Sequence, residues 1–290
     1  MKRLAVVFPG IGYREDRSLL YFGRKIAEAL GYESKILSYG GFPERIGRDA
    51  EKMREACETA LLQSEALLAD TDLSGREDIL FLAKSIGTVA AAAFAARSPA
   101  RERIRLVLYT PLEQTFAYPL GEAVAFTGSA DPWTGGAEGR ICALCAQRRI
   151  DCMLIEGANH SLESGDPLRD VENLREIMRR TDAFVRIEQL RRIARQEALL
   201  DELLEVLAAP APSAAALAAA REKAGRLAAY YESADWRLDL AADEAGLLPR
   251  ELKRGVLSED GVYNALETLR ELEEQARPTA DDSDKEEQAR

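Results

Sequence analysis

Three residue types that together perform acyl transfer occur where this sequence changes from strand-like to loop or helical pattern. The first is Ser85, inside ILFLAKSIGTVAAA (residues 79–92). A buried apolar run leads straight into an alanine-rich helical run, with the serine at the join and Gly87 two residues on. A nucleophile elbow needs this layout: the serine sits on a strained turn, and small neighbours let strand and helix pass closely. The consensus is G-x-S-x-G, and Ala83 replaces its first glycine here. The second is Asp131, in FTGSADPW (126–133), just past an apolar run. The third is His160, in EGANHSLE (156–163), past the last such run and the chain's only histidine. A serine activated by a histidine that a carboxylate orients is the arrangement of nucleophilic acyl transfer. Glu113, in YTPLEQTF (109–116), is a second candidate for the acid.

The elements that must hold these side chains are legible in the same half. Strand-like runs fall at 4–8, 35–39, 79–83, 104–109, 123–127 and 152–155. Helical patterns fall between them at 18–30, 48–68, 86–96 and 136–148, and a last one follows at 167–179. Val, Ile and Leu without alternation suit strands covered on both faces of a parallel sheet. Strand–helix alternation then implies right-handed crossovers and a doubly wound α/β domain. After Arg180 the strand signal stops, and 183–208 and 213–232 read as long Ala/Leu/Glu/Arg helices. A polar, aromatic-bearing segment precedes a final helix at 259–275. The expected division is 1–182 for the α/β domain, 183–276 for a smaller all-α domain, and 277–290 for a charged tail without a core. The span 167–208 has no Pro or Gly after its start, so a helix is expected to cross the boundary.

Composition narrows the function classes. Fifty acidic against 39 basic residues give a net charge of -11, which argues against a nucleic-acid partner. The basic start and short apolar run of MKRLAVVFPGIG are too brief for a secretory signal, and Pro9 and Gly10 interrupt them. No apolar stretch is long enough to span a membrane, so a cytoplasmic protein is expected. Cys142 and Cys145 form a C-x-x-C inside a helical pattern, with Cys57 and Cys152 elsewhere. With one histidine and no second C-x-x-C, neither a zinc site nor any other cofactor is expected, and the cysteines read as reduced packing residues.

On FPGIG (8–12), AKSIGT (83–88), FTGSADPW and EGANHSLE, residues 3–180 resemble a small, lidless, dienelactone-hydrolase-like α/β-hydrolase of bacteria. The resemblance implies a sheet ordered 2-1-3-4-5-6 with the site at its carboxyl edge. It implies a catalytic triad of Ser85, Asp131 and His160, in the chain order of that family. It further implies an oxyanion hole from the Ile86 N–H and one N–H of Gly10 or Ile11. Tyr13, Lys84, Phe116 and Trp133 flank the expected site and are candidates for lining a substrate pocket. GGFP (40–43) is a candidate substrate loop on the same edge.

Residues 184–275 resemble an uncharacterised bacterial helical family, on YYESADW (230–236) and LKRGVLSEDGVY (252–263). Tyr230, Tyr231, Trp236 and Tyr263 read as packing anchors. Asp235, Asp239, Asp243 and Glu244 read as a solvated acidic face. The expected function is hydrolysis of a small acyl ester, thioester or related carbonyl substrate, without metal or cofactor. Two alternatives stand beside it. One is a non-catalytic hydrolase-like scaffold whose helical half binds a protein partner, and the other is acyl transfer to an acceptor other than water.

Overall fold

The structure is a computed structural model and describes residues 3–47, 49–134 and 139–275. Among these residues six strands form one sheet: β1 (Arg3–Phe8), β2 (Glu33–Ile36), β3 (Asp78–Lys84), β4 (Ile104–Tyr109), β5 (Ala123–Gly128) and β6 (Asp151–Ile155). Their order is β2-β1-β3-β4-β5-β6 and every neighbouring pair is parallel, as the sequence led us to expect. The central strands β1, β3 and β4 are buried at every position, which is why their sequences show no polar alternation. Side chains such as Leu4, Val6, Phe8, Phe81 and Leu106 pack with α2 (Ala50–Leu68) and α3 (Ile86–Arg97). Burial of each large apolar side chain contributes about 1.5–3 kcal/mol.

α1 (Ser18–Ala29) packs against β1 and β3, with Gly23 directly beside Tyr109 and Leu82 of the sheet. α4 (Arg140–Gln147) packs against β5 and β6, and the expected helical residues 136–138 lie outside the described ones. β2 starts earlier than its apolar run suggested. It is an edge strand with a half-exposed, mixed-polarity pattern, and pairing with Leu4–Val7 fixes its extent.

α5 (Pro167–Leu207) is one continuous helix of 41 residues. The chain divides into two compact units between Arg186 and Ile187, inside this helix, a little beyond the 182–183 boundary read from the sequence. Arg105 gives a physical reason. Buried at the start of β4, it donates to the Phe184 carbonyl at 2.7 Å and the Val185 carbonyl at 3.3 Å. Those bonds tie that turn of α5 to the sheet. The same guanidinium grips the buried Asp78 at 2.8 and 3.2 Å, and Tyr109 meets Thr181 of α5 at 3.0 Å.

The second unit contains the rest of α5, α6 (Ala214–Tyr231), α7 (Ala234–Glu244) and α8 (Glu259–Gln275). α7 lies within the polar, aromatic-bearing segment, to which the sequence reading assigned no element. Ser233 caps it by accepting the Trp236 N–H at 3.1 Å. Its periodicity was hidden because one inward position is an aspartate. Asp239 is wholly buried, where it accepts from Arg192, from Gln189 at 3.0 Å and from Tyr230 at 2.7 Å. The acidic run is therefore not a uniformly solvated face: one member belongs to the core, and Asp243 pairs with Arg254 at 2.6 Å. Trp236 and Tyr230 are core residues as expected, whereas Tyr263 is exposed. The expected tail, 277–290, lies outside the described residues. Among the described residues no helix is long and apolar enough to cross a membrane.

Candidate active site

The site grows from the end of β3. The Ser85 N–H extends the β3–β4 ladder by donating to the Tyr109 carbonyl at 3.0 Å, and α3 begins at the next residue. Between strand and helix, Ser85 is held at φ 56°, ψ -123°, a conformation that costs a non-glycine residue about 1–3 kcal/mol. Such strain persists only where its surroundings enforce it, and here they do. A Cβ on Gly87 would lie 2.3 Å from the Phe8 carbonyl oxygen and 2.5 Å from that of Pro9, so only glycine lets α3 pass β1. Thr88 fastens the turn from behind, donating its hydroxyl to the Ser85 carbonyl at 2.6 Å and meeting the Thr115 hydroxyl at 2.6 Å. Ala83, the departure from consensus, points its methyl into the core, where it is accommodated.

The other two side chains arrive from β5 and β6. Gly128 ends β5 and abuts the Ala158–Asn159 backbone, and the Ala130 N–H donates to the Ala158 carbonyl at 3.0 Å. Asn159 folds the loop after β6 by accepting the Ser161 N–H at 2.7 Å and the Glu163 N–H at 3.3 Å. His160 is thereby aimed between the two partners. Its Nδ1 lies 2.7 Å from Asp131 Oδ2, and its Nε2 lies 2.7 Å from Ser85 Oγ. The buried Asp131 also accepts the Trp133 N–H at 2.9 Å through Oδ1, which fixes the carboxylate plane. A carboxylate only accepts, so Nδ1 carries the proton and Nε2 is free to accept from the serine hydroxyl. Glu113 is engaged elsewhere, paired with Arg140 at 2.7 Å.

Of the two candidate oxyanion donors on the loop after β1, Gly10 is excluded. Its N–H donates to the Tyr13 carbonyl at 3.0 Å in a tight turn. Ile11, by contrast, lines a cavity of about 270 Å³ together with Ser85, Ile86 and His160. The rest of that cavity is mostly apolar, with Ile46, Met53, Leu112 and Trp133 on its walls and Arg45 at the rim. Trp133 is thus the one member of the expected pocket set that lines it. Tyr13, Lys84 and Phe116 are buried behind or beside the site instead. From the GGFP loop, Pro43 reaches the cavity, while Phe42 lines a different one. The wall supplied by Ile46 escaped sequence reading because a loop residue carries no periodic signal. That supplied by Met53, on the first turn of α2, escaped it because helical periodicity does not say which cavity a helix borders. Asn159 did carry a signal, a turn-forming residue directly before the histidine.

The N-terminal unit has an α/β-hydrolase-type fold. Strand order and the serine's place on the sheet are the grounds for that statement. A family model described as a domain of unknown function (DUF4298) matches residues 193–277. Among solved structures, an alpha/beta-superfamily protein from Xanthomonas campestris pv. campestris is similar at 14% identity, with 61% of this chain and 98% of that one covered and a TM-score of 0.41. An alpha-beta serine hydrolase homologue from Coxiella burnetii is 16% identical, with coverages of 61% and 84% and a TM-score of 0.39. A Butyrivibrio proteoclasticus protein solved with ferulic acid bound is 15% identical, with coverages of 62% and 90% and a TM-score of 0.43. No curated protein matches the chain. Identities this low transfer no activity.

Electrostatically the site favours a neutral imidazole. Burial lowers the His160 pKa; the hydrogen bond to Asp131 opposes that shift, and the positive charge of Lys84 reinforces it. Among the described residues no cluster of three His, Cys, Asp or Glu side chains has the makings of a metal site. None of the four cysteines is in a disulfide, and burial pushes the Cys57 thiol up to about 11, away from nucleophilic character.

Proposed function

We propose that the N-terminal unit is a serine hydrolase that cleaves a small acyl ester, thioester or related carbonyl compound through an acyl-enzyme on Ser85. The observation that carries this reading is the unbroken Ser85–His160–Asp131 hydrogen-bond relay, 2.7 Å at each step, with the serine on a strained turn at a cavity wall. Ser85 Oγ attacks the substrate carbonyl carbon while His160 Nε2 takes its proton, and Asp131 holds the imidazole and balances its charge. The Ile86 N–H, at the first turn of α3, and the Ile11 N–H receive the oxyanion. His160 then protonates the departing alcohol or thiol. Water, deprotonated by the same imidazole, releases the acid and restores the serine.

The cavity supports the substrate class. It falls below the range of about 300–1,000 Å³ usual for drug-sized ligands, and its apolar walls suit a short acyl chain. The test is a fluorophosphonate probe and a series of short-chain p-nitrophenyl esters, applied to wild type and to Ser85→Ala. Wild type is expected to label and to turn over the shorter esters. Ser85→Ala is expected not to label and to lose about 10⁴-fold or more in kcat. A folded wild type that fails to label, or equal labelling of Ser85→Ala, refutes the reading.

A further inference from the structure

We propose that Lys84 is a positioning residue of this site: its buried ammonium, seated on the Tyr13 ring, counters the Asp131 carboxylate and holds His160 as the neutral base that Ser85 requires. Lys84 is the last residue of β3 and is only 1% exposed. A lysine is almost never buried this completely unless something receives its charge. Among the described residues no carboxylate lies within ion-pair distance of it. What receives the charge is an aromatic face, with Nζ 4.9 Å from the Tyr13 ring centroid.

Tyr13 is itself fixed from two sides. Its hydroxyl accepts the Leu19 N–H at 3.2 Å and meets Ser18 at 3.4 Å, and its backbone closes the tight turn with Gly10. Gly10 packs closely on the Lys84–Ser85 backbone, since a Cβ there would lie 3.1 Å from Ser85 Cβ and 3.2 Å from the Lys84 carbonyl oxygen. The lysine thus ends β3 against the loop that carries Gly10 and Tyr13, and lies next to the candidate nucleophile in sequence. The titratable groups around it come from every neighbouring element. Asp131 follows β5, His160 follows β6, Tyr13 follows β1, and Tyr109 lies opposite in the β4 register; Glu163 and Arg17 act on Tyr13 in turn.

The field at His160 therefore has two opposed sources. Asp131 favours the imidazolium, and Lys84 disfavours it. A triad without that second charge would hold its histidine protonated to higher pH, where it cannot accept a proton from serine. The mechanism of Proposed function supplies the consequence, but the electrostatic claim can be read without any turnover. His160 is the only histidine, so its imidazole gives a single, unambiguous NMR titration.

In Lys84→Met, which keeps the stem and removes the charge, the His160 midpoint is expected to rise by about half a pH unit or more. Lys84→Gln, neutral but polar, is expected to do the same, and the acid limb of kcat/KM is expected to move with it. An unchanged midpoint in a folded variant overturns the proposal, because a purely packing lysine would leave the titration alone. A shifted midpoint with no esterase activity in any form would instead count against the hydrolase reading and leave the electrostatic one standing. If neither variant folds, wild type decides. Lys84 is pushed down to about 7 by its burial, so the His160 resonances should show a second inflection as it deprotonates. A single inflection overturns the proposal.

Discussion

Gly128→Ala is a substitution that touches no side chain of the Ser85–His160–Asp131 relay and yet is expected to disable it. A Cβ at residue 128 would lie 2.1 Å from the Ala158 carbonyl oxygen, 2.7 Å from its carbon and 2.8 Å from the Asn159 oxygen. All three are backbone atoms, so no side chain can swing aside. Restoring a contact of about 3 Å requires the end of β5 and the loop after β6 to separate by roughly 0.9 Å. The loop carries His160 on the next residue and the strand end carries Asp131 three residues on, so the separation opens the relay on both sides. Misplacement of about 1 Å at a reacting centre costs about 100-fold in rate, and forced overpacking costs about 1–3 kcal/mol in stability. The assay is kcat/KM on a short p-nitrophenyl ester, with circular dichroism and urea unfolding to establish that the variant is folded. Gly121→Ala is the control, since its Cβ would meet nothing closer than 3.5 Å and its φ is not left-handed. A folded Gly128→Ala within about threefold of wild type would show that the loop adjusts freely, and the rigid-frame reasoning would be wrong.

Three further outcomes are expected. The acid limb of kcat/KM should have its inflection below the ordinary histidine value of 6.5, because burial and Lys84 hold His160 down; a limb at or above 6.5 contradicts this. The same group contributes stability that is present above 6.5 and is lost as pH falls through the depressed folded value, a trend visible in urea midpoints. Arg105→Met should cost about 3–5 kcal/mol by chemical denaturation, because it strands the buried Asp78 and frees the Phe184 and Val185 carbonyls; a loss under 1 kcal/mol refutes that assignment.

The parts of this protein that the sequence announced are those governed by short-range rules. The doubly covered strands had to be continuous apolar runs, and Ser85, Asp131 and His160 follow their ends. Long-range pairing left no such mark. Nothing around Arg105 or Asp78 says that they meet, since their bond depends on the register of β3 against β4. Lys84 looked like a pocket residue because it precedes the serine, but strand alternation turns it away from the cavity, into the space beside Tyr13. Gly10 was a reasonable oxyanion donor by composition alone. Only the turn geometry shows that its N–H is already spent on Tyr13. Asp239 misled in the opposite direction, because a charged residue on an inward helix position disguises the helix itself.

These differences point to where the accuracy of the site resides. Its three side chains sit on three separate loops, and loops alone do not hold atoms to tenths of an ångström. What fixes them is main chain against main chain. Gly87 abuts the Phe8 and Pro9 carbonyls, Gly10 abuts Ser85, and Gly128 abuts Ala158, each at a distance that leaves little or no room for a methyl. The Ser85 and Ala130 amides then continue the sheet's hydrogen bonding beyond its strands, to Tyr109 and Ala158. The relay thus inherits its spacing from the sheet register rather than from contacts among its own members. It follows that exchanging Ser85, Asp131 or His160 should alter chemistry while leaving the frame in place. Exchanging Gly87 or Gly128 should displace the frame with the chemistry intact, and a crystal structure of each class of variant separates the two effects.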